Sequence, residues 1–135
     1  MRKERKMRGF TLVELLIVLL ILGILIGLAV PRYLRSVDES KKTTFCANVR
    51  NVMSAIETWR IDNATTAYPA LGTLNTDIIK SATYFSQPPK NPYTNEILQA
   101  KDSQPTDLGQ FQYVVSTTNA FTYTASTNPD CGLNK

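Results

Sequence analysis

The sequence predicts an α+β chain in which a long N-terminal α-helix, membrane-spanning in its first half and amphipathic in its second, packs against a small antiparallel β-sheet. Three observations predict it. Leu15 to Val30 is sixteen residues without one polar side chain. Phe45, Val49, Val52, Ile56 and Trp59 then recur at steps of four, three, four and three, which places them on one helix face. Phe111, Tyr113 and Val115 alternate with Gln110, Gln112 and Val114, and Phe121, Tyr123 and Ala125 alternate with Thr122, Thr124 and Ser126, the period of half-buried strands.

Length and charge bound the rest. A chain of 135 residues holds one small domain besides the apolar run. Its formal charge of +4 arises entirely before Phe10, where Arg2, Lys3, Arg5, Lys6 and Arg8 face only Glu4. From Phe10 onward basic and acidic residues balance, so the sequence pI near 9.2 describes the N-terminal segment and gives DNA no support as a partner. Histidine is absent from the sequence, and two cysteines 85 residues apart build no zinc spacing. With no paired carboxylates or nucleophile constellation, an exported enzyme is the weakest of the function classes.

The basic start and the apolar run belong together. Phe10 to Val30 would be about 32 Å of helix, matching a bilayer core. A secretory signal cut near Gly27-Leu28-Ala29 is one reading, and a plain single-span anchor is another. Both keep the basic end in the cytoplasm. Neither gives a use to Glu14, a carboxylate at the threshold of the run, which deep in a membrane helix costs roughly 2.5 to 3.5 kcal/mol and less near an end.

Gly9-Phe10-Thr11-Leu12-Val13-Glu14, after a short basic leader and before a long apolar run, closely resembles the signature of the type IV pilin and pseudopilin superfamily. The resemblance covers Gly9 to Pro31, about a sixth of the chain. It implies the pilin fold, cleavage after Gly9 by a prepilin peptidase on the cytoplasmic side, and N-methylation of Phe10. It also implies that Glu14 pairs with the Phe10 amine of a neighbouring subunit, which would meet the carboxylate's need inside a low-dielectric bundle. The implied function is a non-enzymatic structural subunit of a type IV pilus, anchored in the cytoplasmic membrane with its N-terminus inside and later part of a surface filament. Its implied partners are itself as a homopolymer, the peptidase, an assembly platform with a cytoplasmic ATPase, and membrane lipid before assembly; no cofactor is implied. A pseudopilin of a type II secretion or competence DNA-uptake system is the alternative, and an unprocessed, membrane-anchored binding domain a second.

The organisation that follows is a leader over residues 1–9, a filament-core helix over 10–31, its amphipathic continuation over 32–63 and a head over 64–135. Gly23 and Gly27 form a GxxxG that lets helix backbones approach, or that reflects composition alone. Pro31 removes a backbone donor, so a kink or local unwinding is expected there. The polar stretch Arg32 to Thr44 reads as a solvated helix face. Leu71, Leu74 and Ile78 suggest a short helix around Asn75 to Ser81 with Asn75 or Thr76 as cap. Pro88, Pro89 and Pro92 then punctuate a loop that resembles the proline-rich, Asx-Pro-aromatic segment ahead of the sheet in major pseudopilins and many short pilins. The hairpin turns at Thr117 to Asn119, and Ile97 and Leu98 would begin a third strand.

Cys46 and Cys131 can be bridged in an oxidising compartment, which would tie the tail to the helix; two unpaired cysteines are the alternative. Many type IV pilins carry both cysteines in the C-terminal half, so a helix cysteine departs from that pattern. Major pseudopilins of type II secretion have a calcium loop near the C-terminus, but Asp102, Asp107 and Asp130 are scattered here and read as exposed loop acids. Asn63-Ala64-Thr65 is a lone sequon.

Overall fold

The computed structural model describes residues 9–116, 118 and 123–133. Residues 1–8 of the leader, Thr117 and Asn119 of the expected turn, and Phe121 and Thr122 of the expected strand lie outside the described residues. The chain divides into two compact units, residues 1–38 and 39–135.

Helix α1, Leu12–Asp62, runs through both. In the first unit its leucines, isoleucines and valines are exposed on every side. A helix satisfies each interior backbone donor and acceptor within itself, so it suits a segment that has no water to bond to. The helix is continuous through Pro31. Of the kink or local unwinding expected there, the unwinding is absent: proline removes a single bond, to the Gly27 carbonyl, and the flanking turns carry the helix across it.

In the second unit the same helix becomes one-sided. Phe45, Val49, Val52 and Ile56 are fully buried, Cys46 and Ala55 flank them, and Trp59 and Met53 pack at the margin. The helix ends with Ala64 in the left-handed region at φ 47°, and the Thr65 amide donates back to the Arg60 carbonyl at 3.0 Å. Arg60 fixes this exit. It pairs with Glu57 at 2.7 Å, donates to the Thr66 carbonyl at 2.7 Å and stands 4.1 Å over the Tyr68 ring. Burial and the Glu57 carboxylate raise the Tyr68 phenol above its ordinary pKa, with Arg60 opposing them. The Asn63 side chain donates to the Trp59 carbonyl, so the sequon asparagine also serves the helix end.

The short helix differs from expectation. It starts earlier, as α2, Leu71–Thr73, and widens into a π-helical turn, Leu74–Ile78, closed by the Ile79 amide on the Leu74 carbonyl at 3.0 Å. The wider turn brings Leu74, Ile78 and Ile79 all into the core, which a regular 3.6-residue pitch does less well. Neither Asn75 nor Thr76 caps it. Asn75 instead donates to the Ala100 carbonyl at 3.0 Å and accepts the Ala100 amide at 2.9 Å, as a neighbouring strand would.

The proline-rich loop is held by the Asn91 amide on the Glu96 carbonyl, the Leu98 amide on the Pro89 carbonyl, and Asn48 of α1 on the Lys90 carbonyl. The sheet has the order β1-β2-β3, with β1 Ala100–Lys101, β2 Gln110–Val115 and β3 Tyr123–Asn128. The β2–β3 pair is antiparallel, with Tyr113 opposite Ala125. The expectation of a purely antiparallel sheet is corrected, because β1 is parallel to β2, with Ala100 opposite Phe111. The third strand also starts later than Ile97. Ile97 makes an isolated bridge to Lys90, which keeps it in the proline loop, and residues 102–109 return the chain to the start of β2. Phe111 and Tyr113 point into the core against the α1 stripe, and the Tyr113 hydroxyl donates to the Pro69 carbonyl at 2.9 Å.

Two features lock this unit. Cys46 and Cys131 form a disulfide across 85 residues, and the tail is held further by Arg50, which donates to the Cys131 carbonyl at 3.2 Å. Asn91 is buried, donating to the Gly109 carbonyl at 2.9 Å and accepting the Tyr93 amide at 2.9 Å. Gly109 sits at φ 83°, and a β-carbon there would overlap the Asn91 amide.

Two outcomes follow. Cys46→Ser with Cys131→Ser should lower stability by about 4 to 5 kcal/mol on the chain-entropy account, read as a fall in denaturation midpoint. Gly109→Ala should cost about 1 to 3 kcal/mol, from the left-handed backbone and the displaced Asn91 bond together, and calorimetry of the variant would measure it.

Candidate processing and assembly segment

The segment named by the sequence is where α1 begins. Gly9, Phe10 and Thr11 lie outside the helix, and Phe10 is 89% exposed. Gly9 is exposed, and a β-carbon built on it would meet no other described residue. The peptide bond between Gly9 and Phe10 is therefore accessible and free of helical hydrogen bonding, the state a protease requires of its substrate.

The helix starts at Leu12 because Thr11 and Glu14 make it start there. The Glu14 amide donates to the Thr11 hydroxyl at 3.3 Å, and the Thr11 amide donates to Glu14 Oε2 at 3.0 Å. The first helical bond, Leu15 amide to Thr11 carbonyl, closes behind them at 3.2 Å. This is a reciprocal capping box, which satisfies two donors that a helix end otherwise leaves open. The carboxylate also stands at the positive end of the helix dipole. Its signal was present in the sequence as Thr11-Leu12-Val13-Glu14, the T-x-x-E spacing. The inference that a bare anchor has no use for Glu14 is thereby corrected, since the acid already serves its own chain. A carboxylate has more than one acceptor site, so a cation can share it while the cap persists.

Beyond the cap, the large side chains from Leu12 to Val30 are each between 47% and 78% exposed. Open space lies where β-carbons at Gly23 and Gly27 would stand, which leaves that face free for close approach. Gly9 and Phe10 thus stand just ahead of the capped turn that holds Glu14, and Pro31 lies further along the same helix. Cys46 and Cys131 belong to the other unit and are bonded to each other. Asp102, Asp107 and Asp130 are exposed. Asp107 accepts from Gln110 Nε2 at 2.8 Å and Asp130 accepts the Gly132 amide at 2.8 Å, so these two carboxylates close local turns. Among the described residues no three histidine, cysteine, aspartate or glutamate side chains converge on a metal position.

A family model described as the prokaryotic N-terminal methylation motif matches residues 5–30. The type II secretion system core protein G of Pseudomonas aeruginosa is 33% identical over 86 residues, 64% of this chain and 59% of that protein. The core protein G of Vibrio cholerae is 30% identical over 107 residues, 71% of this chain and 72% of that protein. The type IV narrow pilus major component of Thermus thermophilus is 44% identical over 48 residues, 36% of this chain and 41% of that protein. The chain therefore spans less than two thirds of the Pseudomonas and Thermus relatives. No solved structure matches.

Thr11→Ala removes the hydroxyl acceptor of the cap and should destabilise the helix start by about 1 kcal/mol. Hydrogen exchange of the amides from Leu12 to Leu15 in detergent would then quicken, while exchange around Val52 stays unchanged.

Proposed function

The chain belongs to the type IV pilin and pseudopilin superfamily, and from that premise we propose that it is the structural subunit of a type IV pilus, cleaved after Gly9, N-methylated at Phe10 and polymerised through α1. The observation that carries this reading is an apolar helix exposed on every side, capped at its first turn by a carboxylate and preceded by an accessible Gly9–Phe10 bond.

The chemistry runs as follows. Cleavage creates an ammonium at Phe10, next to the positive end of the helix dipole, where a cation is unfavourable. Glu14 supplies the counter-charge. In the packed filament, the Glu14 of one subunit accepts from the Phe10 amine of its neighbour, and this ion pair sets the axial register of apolar surfaces that otherwise slide freely. Before assembly, residues 10–31 span the cytoplasmic membrane with the N-terminus inside. The prepilin peptidase, an assembly platform and its cytoplasmic ATPase are the partners in this scheme, and the sheet faces outward. The subunit performs no catalysis.

A second reading is a pseudopilin of a secretion machine. It is favoured by the extent of the Vibrio similarity, since an alignment over 71% of the chain cannot be confined to α1, whereas that to the Thermus pilus component is short enough to fit within it.

The test is the intact mass of this polypeptide in sheared surface material and in membranes. A chain starting at Phe10, carrying one methyl and lacking two hydrogens, in sheared filaments is the expected result. The same mass confined to membranes supports the pseudopilin reading, and a chain starting at Met1 in both fractions sinks the processing scheme. Glu14→Ala should reduce filament yield at least about tenfold, the loss of a desolvated ion pair, and leave membrane insertion intact.

A further inference from the structure

Near the distal end of the apolar run, Leu25, Leu28, Ala29 and Arg32 line an open groove of about 470 Å³. Their spacing of i, i+3, i+4 and i+7 is that of a single helix face. Helical side chains lean toward the N-terminus, so the Arg32 stem lies back over the turn of Leu28 and Ala29. Ala29 makes the notch, because its methyl stands beside two leucines. The groove thus has an apolar floor and one permanently charged rim. Among the described residues the Arg32 guanidinium has no hydrogen bond or ion pair.

Depth gives this groove a meaning. Leu12 to Val30 is roughly 27 Å of helix, close to the thickness of a hydrocarbon core. With that run in a bilayer, Arg32 stands at the headgroup boundary distant from the N-terminus, and Leu25 lies about 10 Å deeper. A guanidinium at that boundary reaches the headgroup level, where phosphate oxygens are its charged acceptors. We propose that the groove binds an anionic phospholipid of that leaflet, with the phosphodiester on Arg32 and one acyl chain laid along Leu28 and Leu25 in the notch at Ala29. A planar guanidinium grips phosphate through two parallel bonds, and its rigid fork suits this role better than an ammonium. Three apolar lining residues of four favour a ligand with an apolar chain over a free soluble anion. A second copy lying parallel and level brings its nearest carboxylates, Asp38 and Glu39, about 9 to 10 Å further along the axis, outside hydrogen-bond reach of this rim. The assignment rests on the reading that residues 10–31 span a bilayer before assembly. It also distinguishes Arg32 from the rest of the stretch from Arg32 to Thr44, which reads as a solvated face.

The test reconstitutes the full chain in phosphatidylcholine vesicles doped with phosphatidylglycerol and compares spin-labelled forms of the two lipids. The expected result is a motionally restricted phosphatidylglycerol population enriched about fivefold over phosphatidylcholine, the gain from one basic residue at an anionic surface. Arg32→Gln should abolish the enrichment. Ala29→Phe, which keeps the charge and fills the notch, should abolish it too, and Lys42→Gln should leave it intact. Equal restriction of both lipids, or enrichment that survives Ala29→Phe, overturns the site. Efficient cross-linking of Ala29→Cys between chains, with no lipid preference, overturns it in favour of a second copy. A chain that separates from the vesicles on flotation defeats the spanning reading itself, a failure that is distinct from insertion without selectivity.

Discussion

Fifteen large apolar side chains between Leu12 and Val30 are exposed on the isolated chain, and removing each from water is worth about 1.5 to 3 kcal/mol. The sum, tens of kcal/mol, exceeds the whole net stability of a typical domain of this size. No arrangement of a 135-residue chain with a modest core of its own hides that surface internally, so it must be covered by lipid or by other helices. The capping box, the position of Glu14 and the charge break after Val30 all take their meaning from this demand. The capping box marks where that surface starts and the charge break where it stops, and in the proposed filament Glu14 sets its register.

The same helix answers a different demand further on. From Phe45 to Trp59 only one face is apolar, and the sheet supplies its cover through Phe111 and Tyr113. One backbone conformation therefore carries two burial codes in succession, one omnidirectional and one striped. Between them lies the charged stretch from Arg32 to Lys42, which neither code uses. That separation accounts for the division of the chain into two units after residue 38.

Periodicity made the long helix, its stripe and the β2–β3 pairing legible, since each depends on repeated local choices with a common face. The Gly9 to Glu14 segment was legible as a resemblance, although the simpler physics of Thr11 capping with Glu14 went unread beside it. Other features were hidden for a common reason. The π turn at Leu74–Ile78, the parallel pairing of Ala100 with Phe111 and the use of Asn75 as a surrogate strand are single adjustments that serve the core, with no period to announce them. Asn91 and Gly109 belong to the same class, because their dependence on each other spans eighteen residues and appears only in three dimensions.

The bond between Cys46 and Cys131 also decides how the second unit bears load. A pull applied between α1 upstream of Cys46 and the residues after Cys131 passes through the sulfurs and bypasses the polypeptide between them. Those 85 residues, on the order of 300 Å of contour if drawn straight, are withheld from extension. Under tension the hairpin, the proline loop and the core can loosen without the chain paying out, so the subunit transmits force as a short, stiff link whether or not its head stays folded.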